Sequence, residues 1–261
     1  MFRSLEIAAT GMSAQESQLD AISNNLANSS TVGYKKVRAD FQDHIYQTVQ
    51  ASGAQTSSTT QSPTGLQVGS GVRMVATTRQ FSQGALTTTG NPLDVAIEGN
   101  GFFVVQQPDG TPAYTRAGTL KTDAQGRMVT AEGMAIEPTI TIPPNATSVT
   151  IGSEGQVSVT ITGRAAPTQV GQITIANFVN PAGLSALGHS LLQATSSSGD
   201  PQVGAPGTDG RGTLLQNTVE QSNVEVVQEM IGLISAQRTY EVNSKVVQAA
   251  NEMLQSATQM R

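Results

Sequence analysis

The sequence predicts an α+β protein in which long N- and C-terminal helices form a coiled-coil-like terminal domain around a central antiparallel β-rich domain. Three observations support this fold class. Apolar residues recur every seven positions at both ends of the chain, which is the period of paired helices. Between the ends the apolar period shortens to two, as in half-buried strands. Turn signals rich in glycine and proline separate those strand-like segments.

The first helix is predicted from an apolar row at seven-residue spacing. Ala8 and Ile22 lie three residues after two members of this row, as the second row of a heptad seam does. Gln15 occupies another position of the second row, so the seam is imperfect. The members of the main row are Leu5, Met12, Leu19 and Leu26.

The same seven-residue period predicts a second long helix at the C-terminus. Ser222 and Glu225 have the spacing of a capping box, and no proline follows, so we expect one helix of about 35–39 residues. Each helix shows one narrow apolar stripe, which predicts that it packs against a partner. The alternatives are an intramolecular coiled coil between the two ends, and additional packing of both helices against copies of themselves. The C-terminal row consists of Val226, Leu233, Tyr240, Val247 and Leu254.

The middle of the chain reads as short strands joined by tight turns. The segments LDVAIEG, GFFVVQQ, VSVTIT and QITIANF alternate or run apolar over strand-like lengths. Polar, Ser/Thr/Gly-rich stretches flank this region on both sides. We therefore expect a helical terminal domain (1–32 and 218–261), an extended connecting region (33–70 and 195–217) and a β-rich outer domain (71–194).

Composition excludes several classes of function. The net charge is −5 and no basic run exceeds Lys35-Lys36, so nucleic-acid binding is not expected. The chain has no cysteine, which excludes disulfides and thiolate metal sites. No stretch approaches the roughly 18 apolar residues of a membrane span, so we expect no membrane insertion. The opening MFRSLEIAAT lacks an apolar core, which predicts that no cleaved signal peptide is used.

The sequence shows no arrangement typical of catalysis, so we predict that the chain is not an enzyme and has no cofactor or metal. His44 and His189 lie in different regions and are not at metal-ligand spacing. There is no G-x-S-x-G motif, and GNG is too short for a dinucleotide loop. Asp40 and Asp43 leave open a peptidoglycan-cleaving enzyme as an alternative, although the chain has no Trp for a sugar platform.

Four segments together resemble the family of flagellar rod and hook proteins. ISNNLANSSTVGYK resembles the Asn-rich end of that family's N-terminal helix, and DVAIEGNGFFVV resembles its shared strand pair. AYTRAGTLKTDAQGRMVTAEG resembles the segment that follows, and SNVEVVQEMIGLISAQRTYEVNSKVVQAANEML resembles the C-terminal helix. The chain length and the polar stretch after the first helix are most similar to distal rod members.

The resemblance implies a structural subunit that polymerises into a helical tube through the periplasm and transmits motor torque to the hook. It implies export of the unfolded chain through the flagellar type III apparatus. The implied partners are copies of the chain itself, the proximal rod proteins, the hook protein, and the ring proteins of the peptidoglycan and lipopolysaccharide layers. A proximal rod or hook subunit remains an alternative, as does a secreted β-rich adhesin.

Within such a polymer, both helical rows and the asparagine cluster are candidate self-assembly residues. With Leu26 at heptad position a, Asn24 and Asn25 fall at f and g, off the predicted intramolecular seam, and Asn28 falls at c. Their amides are expected to bond backbone groups of adjacent subunits and fix the register. The alternative is that the asparagines and Gly33 simply end the helix.

The polar stretch from residue 50 to 70 is a candidate for setting the stiffness of the tube. It has almost no large apolar residue, so it adds nothing to a core, and on composition alone it reads as a linker. Phe41, Ile45 and Tyr46 before it suggest an anchored base. The positions that limit its conformation, or allow it to turn, are Gly53, Pro63 and Gly65.

Overall fold

The computed structural model describes residues 2–53, 63–161 and 166–259 and confirms an α+β fold. The two long helices lie at the ends of the chain, and the region between them is largely antiparallel β structure. The chain forms two compact units. The helical unit contains Met1–Ala27, Val37–Thr78 and Glu225–Arg261, and the β unit contains Asn28–Lys36 and Arg79–Val224.

The helical unit combines the two long helices with four strands. Strand β1 pairs with β4, and β2 pairs with β3 in an antiparallel hairpin. The last residue of β4 belongs to the β unit. The elements are α1 (Phe2–Ala27), β1 (Val37–Asp43), β2 (Gln47–Gln50), β3 (Leu66–Val68), β4 (Val72–Arg79) and α2 (Val226–Gln259).

Helix α2 begins three residues later than a cap at Ser222 predicts. It starts at Val226 and runs for 34 residues. The hydroxyl of Ser222 accepts a hydrogen bond from the backbone N–H of Val224 at 3.3 Å, before the helix begins. The capping-box prediction was therefore wrong, because the side chain serves a local turn instead of the first turn of the helix.

Small side chains line the packing between α1 and α2. Ala8 of α1 and Ala236 and Ala250 of α2 are buried. A Cβ added at Gly11 would lie only 3.0 Å from the side-chain nitrogen of Asn243. A Cβ at Gly232 would meet the Ile22 side chain at 3.4 Å, an ordinary contact. The absence of large side chains at these points allows the two helices to approach closely.

The β unit is built from short antiparallel strands. Its largest sheet has the order β15-β16-β8-β7-β14-β17, and a separate sheet has the order β11-β12-β13. The pairs β18-β6, β19-β5 and β10-β9 complete it. A 3-10 turn covers Pro181–Gly183. The strands are β5 (Leu86–Thr88), β6 (Val95–Glu98), β7 (Phe102–Gln106), β8 (Pro112–Thr115), β9 (Lys121–Thr122), β10 (Met128–Val129), β11 (Ala146–Ile151), β12 (Gln156–Ile161), β13 (Thr168–Gln172), β14 (Ile175–Asn177), β15 (Ser185–Gly188), β16 (Leu191–Gln193), β17 (Gln202–Gly204), β18 (Thr213–Gln216) and β19 (Thr218–Glu220).

The core of the β unit has an aliphatic part and an aromatic part. Fully buried side chains such as Ile97 and Ile175 belong to the aliphatic part, and Phe103 packs among them. The aromatic part is a chain of edge-to-face contacts that connects Phe81, Phe102, Phe178 and Tyr114. The alternation in GFFVVQQ explains both, because neighbouring residues of β7 point to opposite faces of the sheet.

Two stretches expected to connect the domains contain paired strands. Within 195–217, β17 pairs with β14 and β18 pairs with β6, so this stretch is part of the β unit. Within 33–70, β1 and the β2–β3 hairpin belong to the helical unit. QITIANF, predicted as one strand, is split between β13 and β14.

Candidate assembly interface

Helix α2 carries an apolar face that its own chain leaves exposed. Val227, Ile231 and Ile234 recur at helical spacing, and the side chains of Val227 and Ile231 are 64% and 63% exposed. The prediction of a single narrow stripe was therefore wrong, because α2 has a second apolar stripe. We call this surface the outward face of α2: Val227, Met230, Ile231, Ile234, Val242, Val246 and Met253.

The predicted heptad rows only partly coincide with the packed helix faces. Val226 and Tyr240 are exposed, so they are not part of the packing between α1 and α2. Ile22 is buried. The other row members are half-buried, and they are Leu5, Met12, Leu19, Leu26, Leu233, Val247 and Leu254.

Asn25 is buried within its own chain. Its amide accepts from the N–H of Val37 at 2.9 Å and donates to the carbonyl oxygen of Val37 at 2.8 Å. It also donates to the Glu229 carboxylate of α2 at 3.2 Å. Asn25 therefore fixes the start of β1 and contacts α2. The expectation that it faces an adjacent subunit was wrong. The seven-residue pattern of α1 does not show that β1 folds back against the end of this helix.

The other two asparagines lie near the end of α1. Asn28 follows the last helical residue, so a heptad position does not apply to it. Its backbone carbonyl and side-chain oxygen accept from the N–H and hydroxyl of Thr31, both at 3.2 Å. This supports helix termination as its role. Asn24 is exposed on the last turn of α1 and remains a candidate contact in a polymer.

The candidate stiffening segment begins and ends at a hairpin with exposed apolar residues. Residues 54–62 lie outside the described residues, and Pro63 lies beside them, exposed. Gly53 has a φ of +82°, and a Cβ at Gly65 would lie 2.9 Å from backbone atoms of Gln50 and Ser52, so both positions need glycine. Ile45 and Tyr46 are 76% and 53% exposed, so they do not anchor the segment in a core as predicted.

The β unit contains a buried ion cluster that sequence reasoning missed. Glu220 of β19 is 1% exposed and accepts from the Lys35 ammonium at 2.6 Å and from Nε of Arg116 at 2.5 Å. The Gly84 N–H also donates to this carboxylate, at 2.8 Å. Lys35 additionally donates to the Ser82 carbonyl at 2.7 Å. The three charged groups come from parts of the sequence that no local pattern connects.

The contacts of Arg116 give the GNG motif at residues 99–101 a structural role. Its two terminal nitrogens donate to the carbonyl oxygens of Ile97, Gly99 and Gly101 at 3.1, 2.6 and 2.5 Å. The guanidinium therefore holds the turn between β6 and β7 in shape. Two of the segments quoted for the family resemblance meet at this point, since Arg116 belongs to AYTRAGTL and the glycines to EGNGFF.

Burial and the contacts within the cluster shift the pKa values of Glu220 and Lys35. Burial raises the pKa of Glu220, but the Arg116 charge and the hydrogen bonds from Lys35, Arg116 and Gly84 outweigh burial and hold that pKa below its ordinary value. Burial lowers the pKa of Lys35, and the contact with Glu220 opposes that shift. Glu220 is therefore the anion on which both buried cations depend.

A second connection within the β unit comes from Asn223. Its oxygen accepts from the Lys36 N–H at 2.7 Å, and its nitrogen donates to the Gln80 carbonyl at 2.9 Å. The Gln80 N–H donates to the Lys36 carbonyl at 2.8 Å. The segment after β4 is thereby held alongside Lys35 and Lys36.

The described part of the chain offers no catalytic arrangement. No group of three or more His, Cys, Asp or Glu side chains there is placed to hold a metal ion. Asp40, considered above as an acid, accepts hydrogen bonds from the Thr78 hydroxyl and from Arg38. None of the described helices is both long and apolar enough to span a membrane.

Comparison with known protein families matches three regions. Residues 5–35 match the family described as flagella basal body rod protein. Residues 96–159 match the flagellar hook protein FlgE/F/G D1 domain, and residues 215–260 match the flagellar basal body rod FlgEFG protein C-terminal family. The buried ion cluster draws one residue from the first region, one from the second and one from the third.

Individual relatives extend the similarity over the whole chain. The chain is 48% identical over 260 residues to the flagellar basal-body rod protein FlgG of Caulobacter vibrioides, covering 99% of both chains. It is 46% identical to the protein of the same name from Borreliella burgdorferi, covering 100% and 99%. The basal-body rod protein FlgF of Caulobacter vibrioides is 35% identical and is covered to 91%.

These full-length similarities agree with a molecule that has an exposed apolar helix face and no catalytic site in its described residues. The chain belongs to the flagellar basal-body rod protein family, and it is a structural protein, not an enzyme.

Proposed function

We propose that the chain is the subunit of the flagellar distal rod, which polymerises into a hollow helical drive shaft. The observation that carries the proposal is the outward face of α2. An apolar surface of this kind on a folded chain indicates a partner, and in a homopolymer the partner is another copy. The shaft transmits motor torque through the periplasm to the hook, and its channel serves export.

The helical unit supports this role as the inner wall of the tube. Close packing of α1 on α2 leaves the outward face of α2 available to neighbouring subunits. We propose that the two helices continue into a coiled-coil-like arrangement once neighbours bury that face. Assembly then adds apolar burial that the single chain lacks, which favours the polymer by mass action.

The distal position is favoured over a proximal rod or hook position. The chain is more similar to FlgG than to FlgF of the same bacterium, and hook proteins would by resemblance carry a further inserted domain. The proposed neighbours are the proximal rod proteins on one side and the hook protein on the other. The ring proteins surround the shaft, and the type III export apparatus delivers its subunits.

Purified chain should polymerise into straight hollow tubes above a critical concentration, and cryo-electron microscopy of those tubes would test the proposal. The expected map shows α1 and α2 lining the channel. Incubation with purified peptidoglycan should release no fragments. A chain that stays monomeric at every concentration, or a map in which α2 faces solvent, would contradict the proposal.

We further propose that residues 50–70 stiffen the shaft. The supporting observation is that β2 and β3, which precede and follow most of this segment, pair and expose Val49 and Leu66, and that Ile45 and Tyr46 just before β2 are also exposed. An exposed apolar hairpin is a surface for a neighbouring subunit, and the segment's hydroxyl and amide groups add hydrogen bonds worth about 1 kcal/mol each.

Deletion of about residues 51–66 should give tubes that still assemble but curve. The reason is that α1 and α2 remain intact while contacts between neighbouring subunits are lost. Curvature of wild-type and deleted tubes would be measured on electron micrographs. A matched control replaces the deleted residues with an equally long Gly/Ser sequence, which should also curve. Straight tubes from both variants would show that the segment is only a linker.

A further inference from the structure

A small cavity in the β unit holds more positive than negative charge. It has a volume of about 180 Å³, and the cations Lys35, Arg79 and Arg116 line it. Lys35 and Arg116 share the carboxylate of Glu220. His189, at the same cavity, already contacts Glu132.

Arg79 is the cation that this arrangement leaves uncompensated. Its side chain is half-buried, and no residue in the described ranges forms a hydrogen bond or ion pair with its guanidinium. Burial lowers the pKa of Arg79, while Tyr34 at the same cavity opposes that shift. A guanidinium has five N–H donors and always carries its charge. Leaving such a group half-buried and unpaired disfavours the folded chain.

The backbone around Arg79 is held firmly. The next residue, Gln80, donates to the Lys36 carbonyl at 2.8 Å and accepts from Asn223 at 2.9 Å. The base of the Arg79 side chain is thus fixed at the cavity by its neighbours, which prepares the guanidinium for a ligand at little entropic cost.

We propose that Arg79 binds a side-chain carboxylate from a terminal helix of a neighbouring copy of the chain. The inference rests on the proposed polymer. The chain has 19 acidic and 14 basic residues, so carboxylates are in excess. Six exposed carboxylates on the helices and at the start of α2 form no ion pair with any described residue. They are Glu6, Glu16, Asp20, Glu225, Glu241 and Glu252.

The chemistry favours this occupant. A guanidinium and a carboxylate form two parallel hydrogen bonds in a fixed geometry, which sets register as well as attraction. A cavity of about 180 Å³ has room for one side chain but not for a folded element. The ion pair would form only in the polymer, so the single chain carries an unpaired charge that assembly neutralises.

The test compares folding and assembly of Arg79→Leu. Because the substitution removes an unpaired charge, the melting temperature of the monomer should stay the same or rise. The critical concentration for polymerisation should rise at least tenfold. The control Arg127→Leu removes a cation that pairs with Asp123 in the same unit, and it should polymerise like the wild type.

A charge-reversal series identifies the partner. Arg79→Glu should block polymerisation, and a lysine at one of the six carboxylates should restore it in the same chain. The inference is overturned if Arg79→Leu polymerises at the wild-type concentration, if the monomer loses stability, or if none of the six lysine variants restores assembly. Phosphate that raises the melting temperature of wild type but not of Arg79→Leu, with unchanged assembly of the variant, would indicate a free anion and also overturn it. Wild type that fails to polymerise would instead contradict the rod proposal and remove the basis of this one.

Discussion

The double variant Ile231→Asp, Ile234→Asp should fold as a monomer and fail to polymerise. Both side chains lie on the outward face of α2, 63% and 47% exposed, so the single chain does not depend on them for packing. Substitutions at such surface positions usually change stability by less than about 0.5 kcal/mol, and aspartate adds a small loss of helix propensity. The monomer should therefore melt within a few degrees of the wild type.

The effect on assembly should be much larger. Burying an isoleucine side chain contributes about 1.5–3 kcal/mol, and a carboxylate placed in the same apolar contact costs several kcal/mol more. A loss of about 3 kcal/mol per subunit already raises the critical concentration roughly a hundredfold, since 1.4 kcal/mol corresponds to a factor of ten. Cells that carry the variant should be non-motile.

Sedimentation velocity and electron microscopy would measure assembly, and circular dichroism would measure monomer folding. The matched control Gln228→Asp, Gln237→Asp adds the same two charges to exposed polar positions of α2. It should polymerise near the wild-type concentration. Normal polymerisation of the isoleucine variant would show that the outward face of α2 is not an interface.

Replacing Glu220 by alanine should strongly destabilise the β unit. The substitution leaves the Lys35 and Arg116 charges buried, at 4% and 6% exposure, without their anion. Breaking a buried pair in this way costs about 3–5 kcal/mol, against a total stability of about 5–15 kcal/mol for a typical domain. The turn that Arg116 holds between β6 and β7 should be the first part to open.

Amide hydrogen exchange would localise the effect, because the chain has no tryptophan to report on it. Protection of β7 and β14 should fall in Glu220→Ala. The control Glu132→Ala breaks the exposed contact with His189, where about 0–1 kcal/mol is expected, so protection there should hardly change. Unchanged exchange in Glu220→Ala would show that the cluster does not stabilise the unit.

The lowered pKa of Glu220 predicts that the folded chain loses stability in acid. The pKa of Glu220 lies below its ordinary value of 4.5, so the unfolded chain takes up a proton at a higher pH than the folded chain does. Its contribution to stability is complete above pH 4.5 and is lost as the pH falls through the folded pKa. In Glu220→Gln the free energy of unfolding should fall less steeply as the pH is lowered below 4.5. An unchanged decrease would show that another group causes it.

The sequence by itself determined the fold class and the family. Period seven at the two ends predicted both long helices, and period two between them predicted four of the strands, β6, β7, β12 and β14. These patterns are local, since each reflects which face of one element is buried. The four segments that resemble flagellar rod and hook proteins implied a structural protein. The boundaries were less accurate, as the three-residue error at the start of α2 shows, because caps depend on contacts beyond the helix.

Only the tertiary structure decided which apolar face of each helix is internal. It buries alanines such as Ala8 of α1 and Ala236 of α2, while Ile231 and Ile234 remain exposed. Hydrophobicity alone would place the larger side chains inside, but close helix packing requires small ones. The structure also shows that Asn25 forms hydrogen bonds with Val37. It brings Lys35, Arg116 and Glu220, which are far apart in the sequence, into one ion cluster. Such contacts depend on how the chain returns in space, and no local period in the sequence carries that information.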